Sequence, residues 1–353
     1  MTDPALAARL GDLLGTPVGA ARSLGGQHGV RHYRLSLADG RQAFAKLGNG
    51  PALANAAANG FAAEAAGLRW LGAAEATGVP SVLAETADCL IIDWIDEHRP
   101  SRDAAARFGQ ELAGLHAAGA QWCGAPGFGA SGFGASGFGA PWPGVIAGLP
   151  LPNDAEPGSN WPDWYAARRV LPYAQIAARA GTLSATDVGL IEAACARFAD
   201  VAGPVEPPAR LHGDCWSGNV LWSGGRGWLI DPAAHGGHRE TDLAMLALFG
   251  APHLDAILAG YQAVAPLADG WRERVPLHQL HPLLVHVCLF GTAYREPALA
   301  AARSVLARLS GWVRRVMADR NVAAALDRKC SALPVRDDMA QGYRGCDQAA
   351  RKD

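Results

Sequence analysis

Two neighbouring segments decide the fold of this chain: LHGDCWSGNVLW at residues 211–222 and LIDP at residues 229–232. They place Asp214, Asn219 five residues later, and Asp231 beyond a predicted hairpin. This order is typical of phosphoryl transfer, in which one carboxylate accepts the proton of the attacking hydroxyl. An amide oxygen and a second carboxylate are hard oxygen ligands of the kind that magnesium prefers. The spacing therefore predicts one phosphoryl-transfer site built from these three side chains.

Lys46 and Glu64 supply the remaining parts of such a site. Lys46 lies on the second strand of a predicted hairpin, and Glu64 falls on the inward stripe of a helix predicted from Phe61 onward. An inward lysine and an inward glutamate can pair, and each then explains the burial of the other, because unpaired burial of a charge is costly. The paired ammonium can hold the α- and β-phosphates of a nucleotide. Gly25 and Gly26 can let the backbone approach these phosphates.

Each of these features has a simpler alternative when it is taken alone. His-Gly-Asp is compatible with an ordinary loop turn, and a Lys–Glu pair is usually a solvated salt bridge of little energetic value. The glycine pair does not complete a GxGxxG motif. The joint order of glycine pair, lysine, glutamate, HGDxxxxN and IDP is much harder to obtain by chance. This order favours a kinase-like interpretation.

Lysine is unusually scarce in this sequence. Of 31 basic residues only Lys46, Lys329 and Lys352 are lysines, so arginine is the default cation. A lysine that survives this bias can mark a site that requires a compact ammonium, which a planar guanidinium does not replace. The alternative is sequence drift, and the count alone favours neither.

Length and composition restrict the class of protein. The 353 residues are 50% hydrophobic and 18% charged, with a net charge of −2. These values indicate one large domain or two packed lobes with a real core rather than a disordered chain. They give no basic field for nucleic acid or for an anionic membrane. The seven cysteines are scattered without a CxxC pair, so a disulfide framework or a zinc site is not expected.

The sequence also predicts a cytoplasmic protein. The first ten residues carry Asp3 and Arg9 and have no long apolar run, so we expect no secretory signal. No window approaches the roughly 18 uninterrupted apolar residues of a transmembrane helix. The cysteine usage fits a reducing compartment. The oligomeric state is left open at this point.

The predicted elements give a two-lobed order. Residues 1–95 are predicted to form a small nucleotide-binding lobe, and residues 96–318 a larger, mainly helical lobe for catalysis and substrate binding. Residues 319–353 lose periodicity and are predicted to form a flexible tail. The predicted elements are a β-hairpin (31–37 and 41–47), a loop (48–60), a helix (61–76), a strand (90–95), a helix (104–118), two further helices (161–180 and 184–199), a second hairpin (220–222 and 228–231) and a mostly helical region (240–318).

Residues 127–140 read GFGASGFGASGFGA, a five-residue period of small residues with three phenylalanines. This spacing fits neither a strand nor a helix, and a solenoid would need many more turns. The composition predicts a flexible loop. The alternative is a substrate lid, because long loops are often functional.

The chain resembles the fructosamine kinase (ketosamine-3-kinase) family, a branch of the aminoglycoside-phosphotransferase and protein-kinase-like fold. The resemblance covers roughly residues 5–315. Its most specific stretch is IDPAAHGGHRETDLAMLALFG at residues 230–250, whereas HGDxxxxN is shared by the wider fold. Further matching stretches lie at 61–71, 146–153, 161–172, 211–222 and 270–294. The resemblance implies an α+β, two-lobed protein-kinase-like fold with a small β-rich N-lobe and a larger, mainly helical C-lobe.

The resemblance also implies a role for each candidate residue, with ATP and Mg²⁺ as cofactors. Asp214 is implied as the catalytic base, and Asn219 and Asp231 as the magnesium ligands. The implied nucleotide-binding residues are Lys46 and Glu64, Gly25 and Gly26 in the glycine-rich loop, and Asp93, Trp94 and Ile95 at the hinge, where backbone groups meet adenine. Asp242 is implied to brace the catalytic loop, and His212 to orient it.

Three features depart from the family pattern. Many members have a cysteine in the glycine-rich loop, where residues 26–28 of this chain read GQH, so a redox switch through that loop is not expected. The repeat at 127–140 stands where the family has a more complex segment. Cys215 occupies a usually aliphatic position beside Asp214, and we interpret it as a small hydrophobic residue rather than a reactive thiol.

The implied substrate is a ketosamine, either a small molecule or a glycated amino acid or protein, whose phosphorylation on a sugar hydroxyl serves deglycation. Two alternatives stay open. The first is a small-molecule kinase for aminoglycosides or for another amino sugar or sugar alcohol. The second is a nucleotide-binding pseudokinase, against which the complete set of motif residues argues.

The C-terminal helical region favours the ketosamine over an aminoglycoside. Aminoglycosides are polycations and need an acidic cleft, yet residues 243–293 contain few carboxylates. These carboxylates are Asp255, Asp269 and Glu273. The region also carries aromatic and histidine side chains that suit a neutral sugar with one amine, or that pack in the core instead. They are Trp271, His278, His281, His286 and Tyr294.

Overall fold

The computed structural model describes residues 3–27, 29–48, 51–120, 137–154 and 159–318. Met1–Leu306 form one compact unit, and Ala307–Asp353 form a second. In the second unit, the described residues belong to the end of a helix that reaches Ala318. The predicted tail at 319–353 lies outside the described residues.

The N-terminal part is built on one five-stranded antiparallel sheet in the order β1-β2-β3-β5-β4. Its strands are β1 (Val18–Gln27), β2 (Val30–Leu37), β3 (Gln42–Gly48), β4 (Val82–Thr86) and β5 (Cys89–Asp93), and its helices are α1 (Pro4–Leu14) and α2 (Pro51–Gly72). The predicted hairpin is formed by β2 and β3, in which His32 lies opposite Lys46. Strand β3 also pairs with β5 and places Lys46 opposite Leu90. Lys46 is therefore on the central strand of the sheet.

Strand β3 presents its side chains alternately to the two faces of the sheet, as its sequence pattern predicts. Its odd-numbered residues 43–47 pack with Leu10 of α1 in one core cluster. Phe44 packs on the other face, against the cluster that contains Leu68 of α2. Lys46 shares the face of Phe44, so its side chain is directed to the side of the sheet that α2 covers.

The structure corrects the prediction that residues 48–60 form a loop, because α2 begins at Pro51. The segment is rich in alanine, the strongest helix former, and proline is favoured in the first turn of a helix. The loop prediction rests on glycine and asparagine content, which this helix tolerates. The helix also ends at Gly72, before the predicted end at Ala76. Helix α1 and strands β1 and β4 are absent from the sequence prediction.

The rest of the described chain is mainly helical. Its helices are α3 (Arg102–Ala117), α4 (Trp161–Tyr165), α5 (Leu171–Arg179), α6 (Ala185–Cys195), α7 (Phe198–Val201), α8 (Glu240–Leu248), α9 (Leu254–Val264), α10 (Trp271–Phe290) and α11 (Arg295–Ala318). Small two-stranded sheets join β6 (Gly144–Ile146) with β7 (Leu149–Leu151), β8 (Ala209–Leu211) with β11 (His235–Gly237), and β9 (Val220–Ser223) with β10 (Arg226–Leu229). The predicted helix at 104–118 and the predicted second hairpin are confirmed.

Two core clusters organise this helical part. One joins α4–α6 with α10 and α11, and the other joins α3, β9 and β10 with α8 and α9. The helix predicted at 161–180 contains a π-helical turn, Ala166–Val170, between α4 and α5. This turn carries the fully buried Arg169. The sheet-rich first part and the helical second part confirm the predicted α+β class, and none of the described helices is long and apolar enough to cross a membrane.

Part of the GFGAS repeat is packed against the protein. Residues 127–136 lie outside the described residues. Phe138 stacks on Trp164 with ring centroids 5.8 Å apart, and the backbones of Gly139 and Gly236 exchange hydrogen bonds of 3.0 and 2.7 Å. The prediction of a flexible loop is therefore wrong for residues 137–140, because Gly139 allows close approach to β11 and Phe138 packs on Trp164.

Candidate active site

The segment that contains Asp214 follows β8 and is held by one buried carboxylate. Asp242, on α8, accepts hydrogen bonds from the backbone N–H groups of His212 (2.8 Å) and Gly213 (3.0 Å). The Nε2 atom of His116 lies 3.2 Å from the same carboxylate. Because Asp242 is completely buried, these contacts fix the backbone immediately before Asp214.

His212 and Gly213 each have a structural task in this loop. The Nε2 atom of His212 lies 2.8 Å from the carbonyl oxygen of Ile230, so the ring connects the loop to the residue before Asp231. Gly213 has a φ of +81°, and a Cβ there would lie 2.1 Å from the carbonyl oxygen of Ala233. Only glycine fits this position.

Asp214 and Asn219 contact each other directly. The Nδ2 group of Asn219 donates to the backbone carbonyl of Asp214 (2.9 Å) and to its Oδ2 atom (3.1 Å). Burial raises the pKa of Asp214 to about 7; the hydrogen bond from Asn219 opposes this change, and the charges of Asp231 and Asp242 add to it. A carboxylate with a pKa near 7 is well matched to accepting a proton at neutral pH.

Lys46, Glu64 and Asp231 form one ion-paired group. The Nζ atom of Lys46 lies 2.8 and 3.0 Å from the two carboxylate oxygens of Glu64 and 2.5 Å from Oδ1 of Asp231. Burial opposes the charge of the ammonium, but the two carboxylates outweigh it and raise the pKa of Lys46. Burial also opposes the charge of Asp231, yet the ammonium keeps the pKa of this carboxyl below its usual value. The predicted pairing of Lys46 with Glu64 is present, and Asp231 joins it.

Asp231 has an unusual backbone conformation. Its φ of +53° is uncommon for a residue other than glycine, and such strain persists only where the surrounding structure enforces it. Here the N–H of Ile230 donates to the carbonyl oxygen of Asn219 (3.1 Å), which fixes the backbone next to Asp231. The two predicted magnesium ligands thus belong to neighbouring backbone segments.

The residues present fit a magnesium ion. Because the amide nitrogen of Asn219 faces Asp214, its Oδ1 atom is directed away from that carboxylate. This oxygen and a carboxylate oxygen of Asp231 would together offer a metal an all-oxygen donor set. Such a set suits Mg²⁺ better than a metal that prefers nitrogen or sulfur.

The predicted hinge residues lie at the end of β5. The Oδ2 atom of Asp93 accepts a hydrogen bond from the backbone N–H of Ser81 (2.9 Å), so this side chain is engaged within the N-terminal part. The guanidinium of Arg34 lies over the ring of Trp94, 4.4 Å from its centroid. Within the described residues, no hydrogen bond or ion pair links Asp93, Trp94 or Ile95 to the ion-paired group.

The predicted glycine pair lies in β1, in register with the buried ammonium. Gly25 is opposite His32, and His32 is opposite Lys46. Gly25 has a φ of +94°, and a Cβ at Gly26 would lie 2.2 Å from the carbonyl oxygen of Val30. The glycines are therefore required by the pairing of β1 with β2, in addition to the phosphate role that the sequence predicts.

A small cleft lies beside Asp214 in the helical part. Its lining residues are Ile146, Gly213, Asp214, Thr241, Asp242, Met245, His281, Pro282, Val285 and His286. His278 and His281 are core residues with 0% and 2% exposure, and Trp271 packs against the core cluster of α3 and α9. His286 lines the cleft, and its ring centroid lies 4.8 Å from that of Tyr294.

Two aromatic residues near this cleft are absent from the sequence prediction. Phe249 lies 4.9 Å from the ring of His286 and 6.1 Å from the ring of Trp216. Trp216 is 38% exposed and stands two residues after Asp214 in the motif itself. A large aromatic side chain at that position is a signal that sequence reasoning had available.

His238 and Glu240, from the stretch at residues 230–250, form a buried polar cluster with His278 of α10. His238, Glu240 and His278 have ligand atoms within 4.8 Å of one another. However, Arg274 donates hydrogen bonds of 2.8 and 2.6 Å to the two oxygens of Glu240. This guanidinium already neutralises the carboxylate and would repel a dication, so we interpret the cluster as a buried ion pair and not as a metal centre.

The family model for fructosamine kinase matches residues 6–308. The chain belongs to the fructosamine kinase family. A probable ketoamine kinase of Synechocystis sp. is 30% identical over 244 residues, which cover 67% of this chain and 76% of that protein. A crystal structure of a protein assigned as a fructosamine-3-kinase from Thermobifida fusca has a TM-score of 0.76 and 48% identity, and the match covers 86% of this chain and 98% of that one.

A more distant structure extends the fold comparison. The macrolide 2′-phosphotransferase of Brachybacterium faecium has a TM-score of 0.54 at 18% identity, with 84% of this chain and 96% of that one covered. At this identity the similarity shows the fold alone. It confirms the predicted two-lobed, protein-kinase-like fold.

Family membership confirms the predicted enzyme class. The protein is a phosphotransferase that acts on a sugar hydroxyl, and its family places it among the ketosamine kinases. The alternative of a pseudokinase without activity is therefore set aside.

Proposed function

We propose that this protein uses ATP and Mg²⁺ to phosphorylate a hydroxyl on the sugar part of a fructosamine- or ribulosamine-type adduct. The observation that carries the proposal is the arrangement of two groups, the Lys46 ammonium with Glu64 and Asp231, and Asp214 with Asn219. The first group suits the phosphates of a nucleotide, and the second suits a hydroxyl that must lose its proton. Phosphoryl transfer requires both at one point.

On the nucleotide side, we assign Lys46 to the α- and β-phosphates. Glu64 contacts the ammonium through both carboxylate oxygens and keeps it directed into the site. We assign the remaining contacts with the nucleotide to backbone groups. We assign adenine to the backbone of Asp93, Trp94 and Ile95, and the approach to the phosphates to Gly25 and Gly26.

We assign Mg²⁺ to Asn219 and Asp231. When bound, the ion supplies positive charge that offsets the negative charge of the transferring phosphate. Asp231 accepts from Lys46 through Oδ1, and we assign the metal to the same carboxylate. One carboxylate then keeps the ammonium and the metal close to the same phosphates.

Asp214 is the proposed proton acceptor. It takes the proton of the sugar hydroxyl while the new oxygen–phosphorus bond forms and the bond between the γ-phosphorus and the departing ADP breaks. The amide of Asn219 holds this carboxylate in one orientation. We assign the phosphorylation to the third carbon of the sugar, which destabilises the adduct, releases the free amine and so serves deglycation in the cytoplasm.

The side chains near Asp214 favour a neutral sugar with a single amine. Phe249, His286 and Tyr294 form a connected aromatic group that can stack on a sugar ring and offer a ring nitrogen to a hydroxyl. Of the few carboxylates between residues 243 and 293, Asp255 is already paired with Arg102. An aminoglycoside would leave most of its cationic groups without partners here.

An acceptor comparison tests the proposal. We expect kcat/KM at fixed Mg·ATP to be at least about 10-fold higher for a fructosylated or ribulosylated lysine derivative than for kanamycin-like acceptors. Consumption of ATP and acceptor-dependent release of ADP give the rates, with Asp214→Asn as the inactive control. A clear preference for the aminoglycoside would move the protein to the amino-sugar alternative.

A further inference from the structure

Three residues form a row across the first three strands of the large sheet. Gly25 of β1 is directly opposite His32 of β2, and His32 is directly opposite Lys46 of β3. Residues that face each other across antiparallel strands lie on the same face of the sheet, with Cβ atoms about 4.5–5.5 Å apart. His32 therefore lies between the glycine pair and the Lys46 ammonium, the two elements that the proposed function assigns to the phosphates.

A ring contact fixes the position of the His32 side chain. Its ring centroid lies 5.4 Å from that of Phe44, and the two planes are tilted by 47°. Phe44 precedes Lys46 by two residues on β3, so the three side chains share one face of the sheet. The rings of Phe44 and Trp94 lie 6.5 Å apart. A series of rings therefore extends from the segment assigned to adenine to the ammonium assigned to the phosphates.

The imidazole of His32 has unused hydrogen-bonding capacity. Within the described part of the chain, no hydrogen bond or ion pair reaches its ring nitrogens. By contrast, the guanidinium of Arg34 on the same face donates to Oε1 of Gln42. The ammonium of Lys46 contacts two carboxylates. His32 is partly exposed, so a bound molecule can reach its ring.

The surroundings keep this imidazole neutral. Burial lowers the pKa of His32, the nearby ammonium of Lys46 lowers it further, and the charge of Asp231 opposes both effects. A neutral imidazole carries one N–H donor, and a hydrogen bond from it to an anionic oxygen is stronger than one between neutral groups. The space beside Gly25 is open, because a Cβ there would meet no atom within 4 Å. An anionic group beside Lys46 therefore has both room and a donor.

We propose that His32 is a further nucleotide-binding residue, whose imidazole donates a hydrogen bond to a phosphate oxygen beside Lys46. This inference rests on the proposed function, since it takes the nucleotide to lie along the glycine pair and the ammonium. The row then offers the phosphates three kinds of group: the backbone at Gly25, a neutral donor at His32 and a cation at Lys46. His32 does not line the cleft beside Asp214, so it acts on the nucleotide and not on the acceptor.

Calorimetric titration of the full chain with ATP, ADP and adenosine at fixed Mg²⁺ tests the proposal. His32→Phe retains a ring against Phe44 but has no ring N–H, so we expect it to weaken ATP and ADP binding by about 10-fold or more. The affinity for adenosine, which has no phosphate, should change by less than about 2-fold. His32→Gln provides an N–H donor again and should restore most of the ATP affinity. His98→Ala, at an exposed histidine outside the sheet, is the matched control and should leave all three affinities unchanged.

An unchanged ATP affinity in His32→Phe would overturn the proposal. An equal loss of affinity for adenosine would overturn it as well, because the contact would then be with the base or the ribose. The same holds if His32→Gln binds ATP as weakly as His32→Phe, since the donor would then not be the group that matters. Circular dichroism shows that each variant is folded.

Lys46→Met separates this inference from the proposed function. If Lys46→Met loses ATP binding while His32→Phe retains it, only the role proposed for His32 is wrong. If both variants retain ATP binding, the nucleotide does not lie along this row, and the assignment of Lys46 to the phosphates is wrong together with that of His32. Loss of ATP affinity in both variants, with adenosine affinity kept in His32→Phe, is the expected result.

Discussion

The Nζ atom of Lys46 lies 2.5 Å from Oδ1 of Asp231, a residue 185 positions later in the chain. The same nitrogen also contacts both oxygens of Glu64. One compact ammonium therefore connects the central strand of the sheet, helix α2 and the end of β10. The geometry offers a physical reason for a lysine at this position in a sequence that otherwise uses arginine.

We expect Lys46→Arg to be nearly as damaging as Lys46→Met. A planar guanidinium is larger than an ammonium and directs its donors in a fixed fork, so it cannot occupy the same point between two carboxylates. In both variants kcat/KM for ATP should fall by about 10²-fold or more, while circular dichroism shows a folded protein. Arg102→Lys, at an exposed ion pair, is the matched control. Near-native activity of Lys46→Arg would show that charge alone suffices.

Substitutions of Asp214 and Asp231 should impair the enzyme in different ways. Asp214→Asn retains the size of the side chain but cannot accept the proton, so kcat should fall by roughly 10²–10⁴ while Mg·ATP still binds. Asp231→Ala removes a proposed metal ligand and a partner of Lys46, so the affinity for Mg·ATP should fall together with turnover. Steady-state kinetics and nucleotide titration separate the two outcomes. Equal, small losses from both variants would remove the basis for these roles.

The rate should depend on pH through Asp214. Burial raises the pKa of this carboxyl to about 7, and only the ionised form accepts a proton. We therefore expect kcat/KM for the acceptor to fall as the pH decreases below about 7 and to level off above it. Burial also raises the pKa of Glu64 to about 7, so the profile of Glu64→Gln is the control. If kcat/KM no longer falls at acidic pH in that variant, the fall reflects protonation of Glu64 and not of Asp214.

Asp242→Asn should destabilise the fold. The buried carboxylate accepts from two backbone N–H groups through different oxygens, and an amide leaves one of these donors facing an NH₂ group. An unsatisfied buried donor and the loss of a charged acceptor cost about 2–4 kcal/mol in unfolding free energy. Urea titration measures the loss. Asp255→Asn, at an exposed pair, should leave stability unchanged, and an equally stable Asp242→Asn would show that the loop is held by other contacts.

Two contacts among the candidate site residues were more predictable than several of the elements around them. Lys46 and Glu64 could be paired from the sequence because two inward charges on neighbouring elements each need a partner. Asp214 and Asn219 stand five residues apart in one motif, so a single turn brings them together. The contact of Asp231 with Lys46 depends on how two distant parts of the chain pack, and no local pattern encodes it.

Other features escaped prediction for reasons of local chemistry. The start of α2 combines alanine with glycine and asparagine, which indicate opposite structures when only composition is considered. His278, His281 and His286 all lie on α10, yet the first two are buried and only the third is partly exposed. Their separation depends on the side of α10 that meets the core. A single sequence does not distinguish that side when the helix carries apolar residues all round.

Ala120 and Gly137 lie against the same residue, because a Cβ at Gly236 would be 2.6 Å from the Cβ of Ala120 and 1.9 Å from the carbonyl oxygen of Gly137. This proximity has an evolutionary consequence. A copying error that adds or removes one SGFGA unit changes only the length of a segment whose two ends are already adjacent. The four residues before Pro141 still read GFGA after such an error. The hydrogen bonds of Gly139 and Ala140 with Gly236 and Asn153 then need not change with the number of units. Natural variants of this gene are expected to differ here in steps of five residues, while the flanking sequence stays constant in length.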